Sequence, residues 1–215
     1  MASAIDTGWA PQNRRIPLRG AIDYAGPMAT IVGIAGSLRR GSCNAALLRE
    51  AVALAPPGLA IEVASIREIP LYDGDLEVAH GVPAPVRALQ DRIAAADGLL
   101  LVTPEYNNSL PGVFKNAIDW LSRPPAEIPR VFGGKPVALM GATPGMGGTS
   151  LAHAAWLPVL RTLGTLMWSG PRVYVSNAAK VFGPDGRIVD DKVRATVARA
   201  VAELARFVAR IGRPA

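Results

Sequence analysis

The sequence predicts an α/β fold: a doubly wound, five-stranded parallel sheet with helices on both faces. Three observations carry this. Short apolar runs alternate with stretches of helical period from Thr30 onward. Of 215 residues, 50% are hydrophobic and 19% charged, which suits one well-buried core. Loops rich in glycine and small polar residues follow strands one, three and four. In such a sheet, ligands bind beyond the carboxyl ends of the strands.

The elements follow in order. Residues 1–27 hold Pro11, Pro17 and Pro27 without a sustained period, and read as an irregular extension ahead of a single domain over 28–215. T-I-V-G-I-A (30–35) is a buried strand. Residues 44–55 form an amphipathic helix stopped by Pro56-Pro57-Gly58. A-I-E-V-A-S-I (60–66) alternates as a strand does, and 67–82 reads as a loop. Residues 83–96 form a helix with proline in its first turn, and 98–102 a third strand. A helix over 112–121, a strand over 136–141 and a helix over 149–163 come next. A fifth strand over 165–175 is broken at Gly170-Pro171, and a last helix spans 190–211. Five strands alternating with helices force right-handed crossovers, and hence helices on both faces.

Composition excludes several classes. One cysteine leaves no disulfide framework and no cysteine-based zinc site. His80 and His153 stand far apart, against a transition-metal centre. No apolar run is long enough to cross a membrane, and the start lacks a signal-peptide pattern. The expected setting is therefore cytoplasmic. Net charge is +6, almost all of the basic side being arginine. The arginines are scattered without interleaved aromatic residues, so small anions are better partners than nucleic acid.

Three loops carry the chemistry. G-S-L-R-R-G-S-C-N (36–44) leaves strand one and opens a helix. It offers Ser37, Arg39, Ser42 and Asn44 around a helix N-terminus, the donor set a phosphomonoester needs. Either Ser42 or Asn44 can cap the helix. T-P-E-Y-N-N-S-L-P-G (103–112) is stiffened by prolines, carries Glu105, Tyr106, Asn107 and Asn108, and can present backbone N–H and C=O groups to a flat heterocycle with Tyr106 alongside. A-T-P-G-M-G-G-T-S (142–150) is a glycine-lined wall against such a ring. Its near match to a dinucleotide fingerprint fails, because no acidic residue lies between Glu127 and Asp185 to hold a ribose. A phosphate at the first loop and a ring between the other two describe a mononucleotide, most often FMN in this architecture.

With these residues assembled, the chain resembles the NAD(P)H-dependent FMN reductases. These are flavodoxin-like proteins that include bacterial quinone, chromate and azo-dye reductases. The resemblance rests on the stretches at 36–44, 103–124 and 135–148, and covers about residues 28–211. It implies strand order 2-1-3-4-5. It implies that Ser37, Arg39, Ser42 and Asn44, with the backbone of Cys43, hold the FMN phosphate. Pro104, Glu105, Tyr106 and Asn107 would border the isoalloxazine, with Thr143, Gly145, Gly147 and Gly148 on its other side. Independently of the resemblance, Arg123 follows the second loop's helix and is a candidate either to attract an anionic substrate or to satisfy carbonyls as a helix-end cation. NADPH or NADH would reduce the bound FMN, and a small electron acceptor would reoxidise it in a ping-pong cycle without a catalytic side chain. The family also implies a homodimer or homotetramer. The alternatives are an electron carrier, or a reductase that supplies free reduced FMN to a partner.

Two motifs mislead. Cys43 and Arg49 have the spacing of a phosphatase loop, but Ala45-Ala46-Leu47-Leu48 between them is helical in pattern. His153 follows the third loop and is expected to be structural.

Overall fold

The computed structural model describes residues 29–211, so the 1–27 extension lies outside the described residues. The chain runs β1 (Ala29–Ala35), α1 (Cys43–Ala53), β2 (Leu59–Ala64), α2 (Gly74–His80), α3 (Ala84–Ala95), β3 (Gly98–Val102) and α4 (Gly112–Leu121). A 3₁₀ turn (Pro125–Glu127) and α5 (Ile128–Val131) lead to β4 (Pro136–Ala142) and α6 (Ser150–Thr162). β5 (Leu166–Met167), β6 (Tyr174–Val175), α7 (Ala178–Val181) and α8 (Asp191–Ile211) complete it.

The sheet is parallel, in the order β2-β1-β3-β4-β5. The expected order and class are therefore present. β6 also pairs with β4, four residues further along it, through Gly141 and Ala142. β5 and β6 are thus two pieces of one fifth lane, and the break falls at Gly170-Pro171 as the sequence indicates.

Alternation on the strands produces two cores. On β3, Leu100 and Val102 face one cluster, and Leu99 and Leu101 the other. The first cluster takes Leu47, Leu48 and Ala51 of α1 and the Val197–Val208 stripe of α8. The second takes Val86, Leu89 and Ile93 of α3, Phe114 and Trp120 of α4, and Trp156 of α6. Both faces are covered, which is why β3 reads as an unbroken apolar run.

The expected loop over 67–82 contains a helix, α2. Asp73 caps it by accepting the Asp75 N–H at 2.9 Å, and Gly81 ends it at φ 74°. None of its residues is buried, so it has no apolar stripe for periodicity to reveal. α5 and α7 span four residues each, too short for a period to register.

Candidate functional site

β1 pairs with β2 on one side and β3 on the other. Its two neighbours' crossovers diverge there, and the first and second loops part around a crevice. In the first loop, Ser42 is the helix cap: its Oγ accepts the Ala45 N–H at 3.2 Å. The next two N–H groups, of Cys43 and Asn44, find no acceptor among the described residues. The Arg39 guanidinium folds back to donate to the Gly41 carbonyl at 2.9 Å, which leaves most of its donors free.

Asn44 does something the sequence does not announce. Its side chain is buried, donates to the Ala142 carbonyl at 2.8 Å and accepts the Ala142 N–H at 2.9 Å. One amide therefore fastens the first loop's helix to the point where β4 enters the third loop. Gly36 is equally constrained, since a Cβ there would lie 2.1 Å from the Phe114 ring.

The second loop is a tight hairpin. Tyr106 and Ser109 exchange backbone hydrogen bonds of 3.0 Å each across Asn107 and Asn108. Both asparagines have positive φ, 49° and 60°, the conformation of a two-residue type I′ turn, for which asparagine is well suited. The turn projects Tyr106, whose hydroxyl donates to Ser37 Oγ at 3.4 Å across the crevice. Glu105 turns the other way and accepts the Ala152 N–H in the first turn of α6 at 2.9 Å. Behind it, Thr103 is fully buried, donates to the Pro104 carbonyl at 2.8 Å and accepts from Trp156 Nε1 at 3.1 Å.

The third loop is held from below. Gly141 has no room for a Cβ, which would meet Thr149 Oγ1 at 2.2 Å and the Thr103 carbonyl at 2.4 Å. Thr143 N–H donates to the Val175 carbonyl and Asn177 N–H to the Gly145 carbonyl, both at 2.9 Å. Gly148 is required for its φ of 69°, and it packs against Tyr174. Gly147 has open space around its Cβ position, and Gly145 almost as much.

These loops enclose a cavity of about 250 Å³. Ser37, Arg39, Ser42, Cys43, Asn44, Pro104, Glu105, Tyr106 and Thr143 line it, joined by Ala142 and Pro144. Asn107, Gly145, Gly147 and Gly148 belong to the same loops but do not line it. Arg123 is elsewhere engaged. Its Nε donates to Glu77 Oε2 at 2.8 Å, and its guanidinium lies 5.9 Å from the centre of the Tyr72 ring. The hydrogen bond to Arg123 holds the Glu77 carboxyl below the usual carboxylate range.

His153 is buried beside this region, edge-on to Tyr174 with ring centres 4.5 Å apart. Burial lowers its pKa to about 4, against a smaller opposing contribution from the Met140 backbone. It is neutral at pH 7, as a structural histidine would be. Thr103 and the Asn44–Ala142 clasp are what sequence reading misses, because each joins residues distant in sequence.

The family model described as NADPH-dependent FMN reductase matches residues 29–180. The chain belongs to this family. It is 45% identical over 181 residues to an NAD(P)H-dependent FMN reductase of Pseudomonas aeruginosa, covering 84% of this chain and 96% of that protein. It is 39% identical over 164 residues to a 2-hydroxy-1,4-benzoquinone reductase of a Burkholderia species, covering 76% and 87% respectively. Among solved structures it matches FerB of Paracoccus denitrificans, a flavoenzyme NAD(P)H:(acceptor) oxidoreductase. That match has a TM-score of 0.77 at 35% identity and covers 86% of this chain and 99% of FerB. The family match spans all three loops that line the cavity. No described helix is long and apolar enough to cross a membrane.

Proposed function

We propose that the chain binds FMN beneath the three loops and uses NADPH or NADH to reduce quinones and similar small acceptors. One observation carries this reading. The donors of the first loop, the Tyr106 hairpin and Thr143 converge on a single cavity. The chemistry of the set fits the group. Free N–H groups at a helix start, two serine hydroxyls and a guanidinium suit a phosphate dianion. A tyrosine ring, a proline and the open sides of Gly145 and Gly147 suit a flat heterocycle.

Bound FMN supplies the hydride chemistry, and the chain supplies binding and orientation. Ser37, Arg39 and Ser42 take phosphate oxygens, together with the N–H groups of Cys43 and Asn44. Pro104, Glu105, Tyr106 and Asn107 border the ring on one side. Thr143, Gly145, Gly147 and Gly148 border it on the other, Gly148 by shaping the loop. The Asn44 side chain keeps the phosphate and ring walls in register. Arg123, paired with Glu77, ties α2 to the end of α4. On the resemblance alone, the reading extends to chromate as an acceptor, to a homodimer or homotetramer, and to the cytoplasm.

The test is direct. Purified protein is expected to be yellow and to consume NAD(P)H, followed at 340 nm, with a benzoquinone as acceptor. Replacing Arg39 and Ser42 together by alanine is expected to weaken FMN binding by about a hundred-fold or more, since each charge-assisted contact contributes roughly 1.5–3 kcal/mol. A double variant with unchanged FMN affinity by fluorescence titration would overturn the assignment.

A further inference from the structure

A second cavity, of about 380 Å³, opens behind the first loop. It lies between residues 40–43, the outer side of α1 and the turn at 182–186. The two neighbouring arginines divide between the cavities: Arg39 lines the FMN cavity and Arg40 the second. Arg49 of α1 joins Arg40 there. Neither Arg40 nor Arg49 has a carboxylate partner among the described residues.

The carboxylate in this lining is Asp185, and it is otherwise occupied. Its Oδ1 accepts the Arg187 N–H at 3.0 Å, and its Oδ2 lies 3.7 Å from Arg187 Nε. Arg187 thus offsets Asp185, and two guanidinium groups are left over. Arg49 reaches this turn. Gly186 has φ 77°, and a Cβ there would approach Arg49 Nη2 to 2.9 Å. Two guanidinium groups without a carboxylate partner, lining one concave space, give it a positive potential that favours an anion. The two cavities also share Ser42 and Cys43, so an anion here would sit close behind the FMN phosphate.

We infer that Arg40 and Arg49 form a second anion site, for a nucleotide phosphate that FMN itself does not carry. The inference rests on the proposed function, because it takes the neighbouring cavity as the phosphate end of FMN. Two molecules bring such a group: NADPH, through its ribose 2′-phosphate, and FAD, through its second phosphate. In either case the site selects between close relatives, NADPH over NADH or FAD over FMN.

Calorimetric titration of the full chain separates the sources. The FMN-loaded protein is titrated with 2′,5′-ADP, with 5′-AMP as the control that lacks the 2′-phosphate. The flavin-stripped protein is titrated with FAD and with FMN. The variants are Arg40→Gln with Arg49→Gln, and Arg40→Lys with Arg49→Lys. The expected result is a margin of 2′,5′-ADP over 5′-AMP, or of FAD over FMN. The glutamine pair is expected to lose about ten-fold or more of that margin, the lysine pair to keep much of it, and FMN affinity to stay unchanged. The first margin assigns the anion to the electron donor, the second to the flavin. Absence of both margins in the wild type, or their survival in the glutamine pair, overturns the inference while the FMN reductase reading stands. A wild type that binds no flavin overturns that reading, and the inference with it.

Discussion

Asn44 shows how much of this site depends on a single side chain. Its amide satisfies both backbone groups of Ala142 in a buried position. Asn44→Ala would leave a buried donor and a buried acceptor unpaired, at a cost of about 2–4 kcal/mol. Urea unfolding should register that loss, and FMN affinity should fall with it because the two walls of the crevice separate. His153 makes a prediction of a different kind. Its pKa is about 4 in the fold against 6.5 in the unfolded chain. Above pH 6.5 both states are neutral and no stability is lost. Between pH 6.5 and about 4 the unfolded chain takes a proton that the folded one refuses, so stability falls with pH by up to about 3 kcal/mol. His153→Gln should flatten that acid limb when urea midpoints are compared between pH 7 and pH 4.5. At this scale the gathering of Ser37, Arg39 and Ser42 at one cavity was legible, because a polar loop directly after a buried strand lies at the carboxyl end of the sheet. Thr103 was not, since its partner Trp156 lies 53 residues away and nothing local marks the pair.

Among the elements, legibility tracked burial. β3, α4 and α8 present faces that the core fills, and their periods give them away. α2 buries nothing and is held from outside only where Tyr72 and Arg123 donate to its Glu77, so its sequence looks like a loop. The second loop was recognised as a rigid wall, but its hairpin was not. Local sequence alone does not reveal that Asn107 and Asn108 both take the positive φ the turn requires. Asn108→Val places a branched side chain at φ 60° and should cost about 1–2 kcal/mol, with FMN affinity falling as Tyr106 swings away. Asn108→Gly should be close to neutral by the same measurements, because glycine accepts that conformation freely. If the two variants behave alike, the turn does not hold the tyrosine.

Taken whole, the molecule is a sheet whose alternation sorts side chains into two cores and leaves the loops at one end to meet. That arrangement was readable because parallel strands and crossover helices admit few topologies. The break in the fifth lane has a consequence for how these molecules behave when crowded. An open sheet invites a neighbour's strand along its margin. Here that margin is cut into two-residue pieces, β5 and β6, with Gly170-Pro171 between them. The opposite margin, β2, carries the exposed charge of Glu62, which faces Arg92 at 3.6 Å. Among the described residues, the broken rim gives another chain no run long enough to stitch onto, and the six-residue β2 rim meets it with a charge. Both features oppose edge-by-edge growth of fibrils in concentrated protein.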